Sequence, residues 1–226
     1  MSITNYPTVP AVYTSRSVAP RNIFKSGTPA FYPSLATLDG TKSRDTGNDR
    51  VAVLRAGLLM GKVTSGGKYA ASVLGVTTNA EASGSTSIQA AAAVVTELVR
   101  RVGASGTFKL IGPPTAGGTV AVETVTYSAA SGTDITVTAT TAAFVAGSLI
   151  CPTDGSETPT QLLTPQYGVP VTNEFGDSLD QTMRLLRGGD IDVTQIVNYP
   201  SDASLKAWVK AALRTLGGEL TFSDDR

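Results

Sequence analysis

Turn residues cut this chain into short pieces, and that limits what it can build. Its 226 residues include 23 Gly and 12 Pro. Gly57 and Ser65-Gly66-Gly67 separate apolar runs at 51–54, 58–63 and 69–76. Pro113-Pro114, Gly117-Gly118 and Ser131-Gly132 separate further runs at 107–111, 119–127 and 135–140. Runs this short, rich in Val, Ile, Thr and Tyr and bounded by turn signals, read as strands and hairpins. The expected class is α+β and β-rich.

Two longer segments carry helical spacing. In 87–102, Ile88, Ala91, Ala92, Val95, Leu98, Val99 and Val102 share one face. Ser87 is placed to cap this helix, Arg100 and Arg101 to complement its C-terminal dipole, and Gly103 to end it. In 201–216, Ser201-Asp202 precedes a face of Leu205, Trp208, Val209, Ala212, Leu213 and Leu216, stopped by Gly217-Gly218. Trp208, the sole tryptophan, reads as a core anchor or an interface residue. A shorter helix is expected at 179–187, with Asp177 and Asp180 near its start and Arg184 and Arg187 near its end. Strands are expected at 191–197 and 219–222.

Composition removes most enzyme chemistries. There is no histidine, so a Ser-His-Asp triad, a Cys-His pair and a histidine-ligated zinc are excluded within the chain. The one cysteine, Cys151, can form neither an internal disulfide nor a four-cysteine site. Gly61-Lys-Val-Thr-Ser-Gly66-Gly67-Lys68 fails as a phosphate loop, because Gly67 stands where Lys is needed and a strand follows instead of a helix. Asp39, Asp45 and Asp49 lack calcium-loop spacing and read as part of a solvated linker at 39–50. The pairs Asp190/Asp192 and Asp224/Asp225 read as solvated carboxylates. No catalytic residue, cofactor or metal ligand is expected, and the chain is not expected to be an enzyme. Small residues are abundant (27 Ala, 23 Gly, 20 Ser, 31 Thr), and charged residues are 16% against about 25% in ordinary domains. That composition fits a tightly apposed, assembled protein or a plain β domain.

The zero net charge conceals a division. Residues 1–102 carry 11 Lys+Arg against 5 Asp+Glu, and residues 103–226 carry 7 against 13. The halves can pair within the molecule or head-to-tail between copies. The charge is too diffuse for a nucleic-acid stripe. The run 90–95 is far too short for a membrane span, and the first residues lack the pattern of a secretory signal. No direct nucleic-acid or membrane partner is expected.

The first 38 residues hold five of the twelve prolines, five of the 13 Phe and Tyr, and no acid. They read as an extended arm that docks on another chain or folds over its own domain. Its candidate partner-binding residues are Tyr6, Tyr13, Arg16, Arg21, Phe24, Lys25, Phe31 and Tyr32. Residues 1–50 are thus expected to form an arm and linker, and 51–226 a globular domain with a hairpin insertion around 104–145 and a C-terminal helix around 201–216. One internal echo stands out. Ala56-Gly57-Leu-Leu-Met60, a Thr-Ser-Gly66 turn and Val73-Leu74 parallel Ala146-Gly147-Ser-Leu-Ile150, a Thr-Asp-Gly155 turn and Leu162-Leu163. It is a duplicated β-unit or a coincidence in a Gly/Thr-rich chain.

The stretch Val51-Ala-Val-Leu-Arg-Ala-Gly-Leu-Leu-Met-Gly-Lys-Val-Thr-Ser-Gly-Gly-Lys-Tyr69, followed by Val73-Leu-Gly-Val76, resembles the lambda-type phage head decoration proteins. The resemblance covers 51–76 and consists mostly of turn and packing residues. It implies a compact β-barrel or β-tulip-like core, here with two main helices and an extended N-terminal arm. It also implies a homotrimeric structural virion protein, made in the host cytoplasm. Such a protein sits on the capsid exterior and stabilises it by bridging neighbouring major capsid protein subunits, with the N-terminal segment in contact. The chain is larger than that family's small domains. A tail tube or other shell component, and a hydrolase using carboxylates or a Ser/Thr nucleophile, are the alternatives.

Overall fold

Alternation decides the first half of the architecture. The computed structural model describes residues 21–173, 175–216 and 218–225. Strands β1 (Phe24–Leu38), β2 (Val53–Leu54), β3 (Leu59–Lys62), β4 (Tyr69–Ala71), β5 (Gly75–Val76) and β6 (Ser87–Gln89) lead to helix α1 (Ala92–Val102). Then come β7 (Gly106–Gly112), β8 (Ala121–Ser131), β9 (Asp134–Val137), β10 (Leu149–Pro152), β11 (Gln161–Leu162), β12 (Val169–Pro170) and β13 (Gln181–Ile191). Helix α2 (Ala203–Arg214) and β14 (Glu219–Phe222) close the chain. Phe108 and Leu110 of β7, Val125 and Tyr127 of β8, and Ile135 and Val137 of β9 all turn to one side and are buried together. Thr124, Thr126 and Thr136 between them are exposed. These strands lie in an antiparallel sheet ordered β5-β10-β7-β8-β9-β6. Its two edges meet where Thr77 bridges Ala90, so the sheet curls round a closed apolar interior. The 104–145 region is therefore the wall of this barrel and not an inserted appendage.

Helix α1 plugs the barrel with Val94, Val95 and Leu98. It begins later than its periodicity predicts. Ser87–Gln89 is an edge strand whose Ile88 pairs with Ile135 and is fully buried. Ser87 caps nothing, and Ala91 at the N-cap makes no side-chain capping bond. Both conformations place Ile88 inward, so burial alone could not choose between them. The free edge of β9 could, by supplying backbone partners. Gly103 ends the helix with φ 124°, as expected.

The second sheet is ordered β11-β3-β4-β1-β13-β14. Its long pair is β1 against β13, antiparallel from Phe24–Ile191 to Leu38–Gln181. The register shifts four times, and two of the shifts, between Ser26 and Ala30 and between Phe31 and Leu35, contain Pro29 and Pro33. Proline has no N–H to give a ladder, and these two shifts let the chain bulge past one each. Residues 181–187 are thus strand where the expected helix would run from 179 to 187, because β1 claims the backbone groups of β13. An isolated helix that short has little stability of its own. Nor is 191–197 a strand: β13 stops at Ile191, and Val193–Gln195 forms a 3-10 turn whose Thr194 N–H is capped by the Asp192 side chain. The final helix and strand match expectation. Asp202 accepts from Ser204 and Leu205 N–H, and Leu205, Val209 and Leu213 pack with Leu220 and Phe222.

Residues 21–50 belong to this fold and not to a separate arm and linker. Beyond β1, Asp39 and Asp45 are buried (6% and 0% exposed). Asp39 accepts from Thr41 and Lys42 N–H, while Asp45 takes a bidentate pair from Arg55 at 2.6 and 2.8 Å. The 39–50 segment is a pinned loop, because two of its three carboxylates find donors inside the protein; Asp49 is exposed, as expected.

The echo is structural, with its second half displaced by three residues: Leu162-Leu163 correspond to Val76-Thr77 and not to Val73-Leu74. The first strand of each unit pairs with the second stretch of the other: β3 with β11 through Leu59–Leu162 and Met60–Gln161, and β10 with β5 through Leu149–Val76 and Ile150–Gly75. Flanking bonds repeat in the same positions. Gly57 N–H donates to Leu163 and Gly147 N–H to Thr77; Leu163 N–H donates to Leu58 and Thr77 N–H to Ser148; Thr160 N–H donates to Met60 and Leu74 N–H to Ile150. The two units are interlocked by a local pseudo-twofold relation, one strand pair in each sheet. Gly57 and Gly147 hold φ 88° and 85° at equivalent turns. At Gly57 a Cβ would also lie 2.0 Å from the Gln195 carbonyl oxygen.

Candidate functional site

Of the candidate partner-binding residues, Tyr6, Tyr13 and Arg16 lie outside the described residues. The other five sit at the start of the second sheet, and four of them are engaged within the chain. Arg21 N–H donates to the Gln166 carbonyl, and its guanidinium donates to the Gln195 carbonyl at 2.9 Å. Burial, then the nearby Arg55 charge, pull its pKa below the ordinary arginine value. Phe24 lies against Gly189, where a Cβ would approach its ring to 3.2 Å. The Phe31 ring carries the Arg184 guanidinium 5.2 Å from its centroid. The Tyr32 hydroxyl donates to the Leu216 carbonyl. Lys25 is exposed. The aromatics of 24–32 therefore bind within their own chain, Phe24 and Phe31 to the neighbouring strand and Tyr32 to the turn after α2.

Large apolar side chains are exposed elsewhere: Leu35 at 64%, Val51, Tyr167, Leu179 and, at 82%, Phe175. Four of these five occupy segments sewn to one another. Val171 N–H donates to Ala52, Leu179 N–H to Val171, and Arg21 N–H to Gln166 beside Tyr167. Phe175 stands at the tip of a tight loop between Thr172 and Ser178, which bridge. The Asn173 side-chain oxygen accepts from both Phe175 and Asp177 N–H, and its amide donates to Asp177. This is Asx-turn chemistry, which stiffens a loop and here holds a phenyl ring in water. The sequence signal was an aromatic inside Asn-x-Phe-Gly-Asp, a turn pattern with an apolar tip. Residues 1–20 join the described fold at Arg21, beside this set.

The opposite charges of the two halves meet inside the molecule. Lys42 and Arg101 pair with Asp154, and Lys68 pairs with Asp180. Arg101 is the tightest of these ties. Its side chain is 1% exposed, and it donates to the Ala71 carbonyl at 2.5 Å, to both Asp154 oxygens and to Ser156 Oγ at 2.7 Å. It thereby joins the end of α1 to β4 and to the 153–156 turn. Burial alone would raise the Asp154 carboxyl; Arg101 and two bonds from Ser156 outweigh it and hold it down to about 2. Cys151 is buried, and desolvation pushes its thiol well above the ordinary cysteine range, so it is no nucleophile at neutral pH.

Trp208 is half-buried on α2. It packs on the core that β10, β13 and α2 share, and lines a groove of about 370 Å³ between α2 and the outer faces of β7 and β8. Among the described residues no group of three or more His, Cys, Asp or Glu side chains converges to hold a metal ion. No helix among them is long and apolar enough to cross a membrane. Compared with protein-family models, curated proteins and solved structures, the chain matches none.

Proposed function

We propose that this chain is a structural virion protein that binds the outside of a phage capsid and stabilises it by bridging neighbouring major capsid protein subunits, acting as a self-associated trimer. The observation that carries the reading is the exposed apolar set Val51, Tyr167, Phe175 and Leu179, held on hydrogen-bonded loops where residues 1–20 join the fold. Aromatic anchors on rigid loops are the groups from which interfaces draw most of their energy. The resemblance at 51–76 supports the same reading. Those residues form β2 to β5, and their turn glycines are demanded by the backbone, as at Gly57. Each copy would contribute a modest contact, and many copies around a shell would add.

The test is to add purified protein to expanded, undecorated capsids, sediment the particles and image them. Saturable co-sedimentation with new exterior density is expected. Phe175→Ala should weaken binding about tenfold or more, as loss of an aromatic anchor does, with thermal unfolding unchanged. Absence of added density, or full binding by the Phe175 variant, would overturn the reading.

A further inference from the structure

The groove beside Trp208 combines an apolar wall with an unfinished polar one. Along α2, Trp208, Ala211 and Thr215 line one side. Across from them stand Ile111 and Val122, directly paired on β7 and β8, with Val122 52% exposed. At one end Lys109 and Glu157 form an ion pair of 2.5 Å through Glu157 Oε1. The other carboxylate oxygen, Oε2, is buried and has no hydrogen-bond partner. A carboxylate oxygen without a donor is costly in a folded protein. The last torsion of a glutamate is soft, so a small turn of the carboxylate presents Oε2 to a donor in the groove.

The chemistry of that donor follows from three features. The Lys109–Glu157 pair is neutral as a unit, so the groove offers no net charge to select an ion. The apolar wall includes an indole, which suits the C–H face of a ring. The polar end can accept a hydroxyl hydrogen at Glu157 and donate from Lys109. A ring with one apolar face and a hydroxylated edge meets all three requirements, and the groove volume accommodates one or two such rings. We propose that this groove binds a neutral saccharide. Carried on a particle surface, such a site would hold the particle to glycans.

Trp208 is the only tryptophan, so its fluorescence reports on this groove alone. The purified full chain would be titrated with maltotriose, cellotriose and chitotriose to about 10 mM, the range of shallow sites. A saturable change in emission with at least one of the three is expected. Glu157→Gln keeps the shape but weakens the acceptor, and should reduce that affinity about tenfold, the loss expected for a charge-assisted bond. Ala211→Phe, at an exposed helix position, should fill the groove and abolish the response even if the Glu157 variant folds poorly. Phe175→Ala should leave the titration untouched, which separates this site from the capsid reading. No saturable response to any of the three sugars, or an unaltered one in Ala211→Phe, would overturn the proposal.

Discussion

Replacing Arg101 by Met should cost about 3 kcal/mol at neutral pH, and about 1 kcal/mol of that cost should vanish near pH 3. The Asp154 carboxyl is held at about 2 against an ordinary 3.8. At roughly 1.36 kcal/mol per unit the difference is worth about 2.4 kcal/mol, of which Arg101 supplies the largest share and the two Ser156 bonds the rest. Removing Arg101 also strips the Ala71 carbonyl of its side-chain donor, adding about 1 kcal/mol. The sign is set by the direction of the shift. A carboxyl with a depressed native pKa stabilises the fold above its unfolded value and loses that contribution as pH falls toward the native one. The gap between wild type and variant should therefore be full near pH 7 and narrower by about 1 kcal/mol near pH 3. Urea unfolding followed by Trp208 emission at both pH values measures it. A variant within about 1 kcal/mol of wild type near neutrality, or a gap that does not narrow in acid, would refute the reasoning.

Three further outcomes are expected. Leu98→Ala, at a site with no exposure inside the barrel, should lower stability by about 2–5 kcal/mol in denaturant unfolding. Gly57→Ala faces both a φ of 88° and the Gln195 carbonyl oxygen; it should cost more than about 2 kcal/mol, read as a lowered Tm or loss of soluble protein. Removing residues 1–20 should leave the melting temperature nearly unchanged, whereas removing 1–38 deletes β1 from between β4 and β13 and should unfold the chain, as circular dichroism would show.

Much of the fold was legible in the sequence because it rests on local chemistry. The Asp202 cap, the Leu205/Val209/Leu213 stripe and the glycines at 57, 66, 103 and 132 speak for themselves, since caps and positive-φ turns need particular residues. The alternation in β7, β8 and β9 did the same for the barrel wall. Residues 87–90 and 179–187 were misleading for one shared reason. Their side-chain patterns tolerate helix or strand, and the choice fell to a distant partner's backbone, β9 in one case and β1 in the other. The candidate site divided in the same way. Aromatics at 24–32 announce contact without naming the surface, and the fold uses them within its own chain.

By itself, then, the sequence determined a β-rich chain with two helices, the second capped by Asp202, no histidine chemistry and a repeated Ala-Gly turn. Tertiary structure alone decided that the two repeats interlock across two sheets, that Arg101 is a buried tie and no mere complement to a helix dipole, and that Phe175 is left in water. Local propensity acts over a few residues of chain, whereas ladder partners, buried ion pairs and exposure depend on what folding brings alongside from far away in sequence.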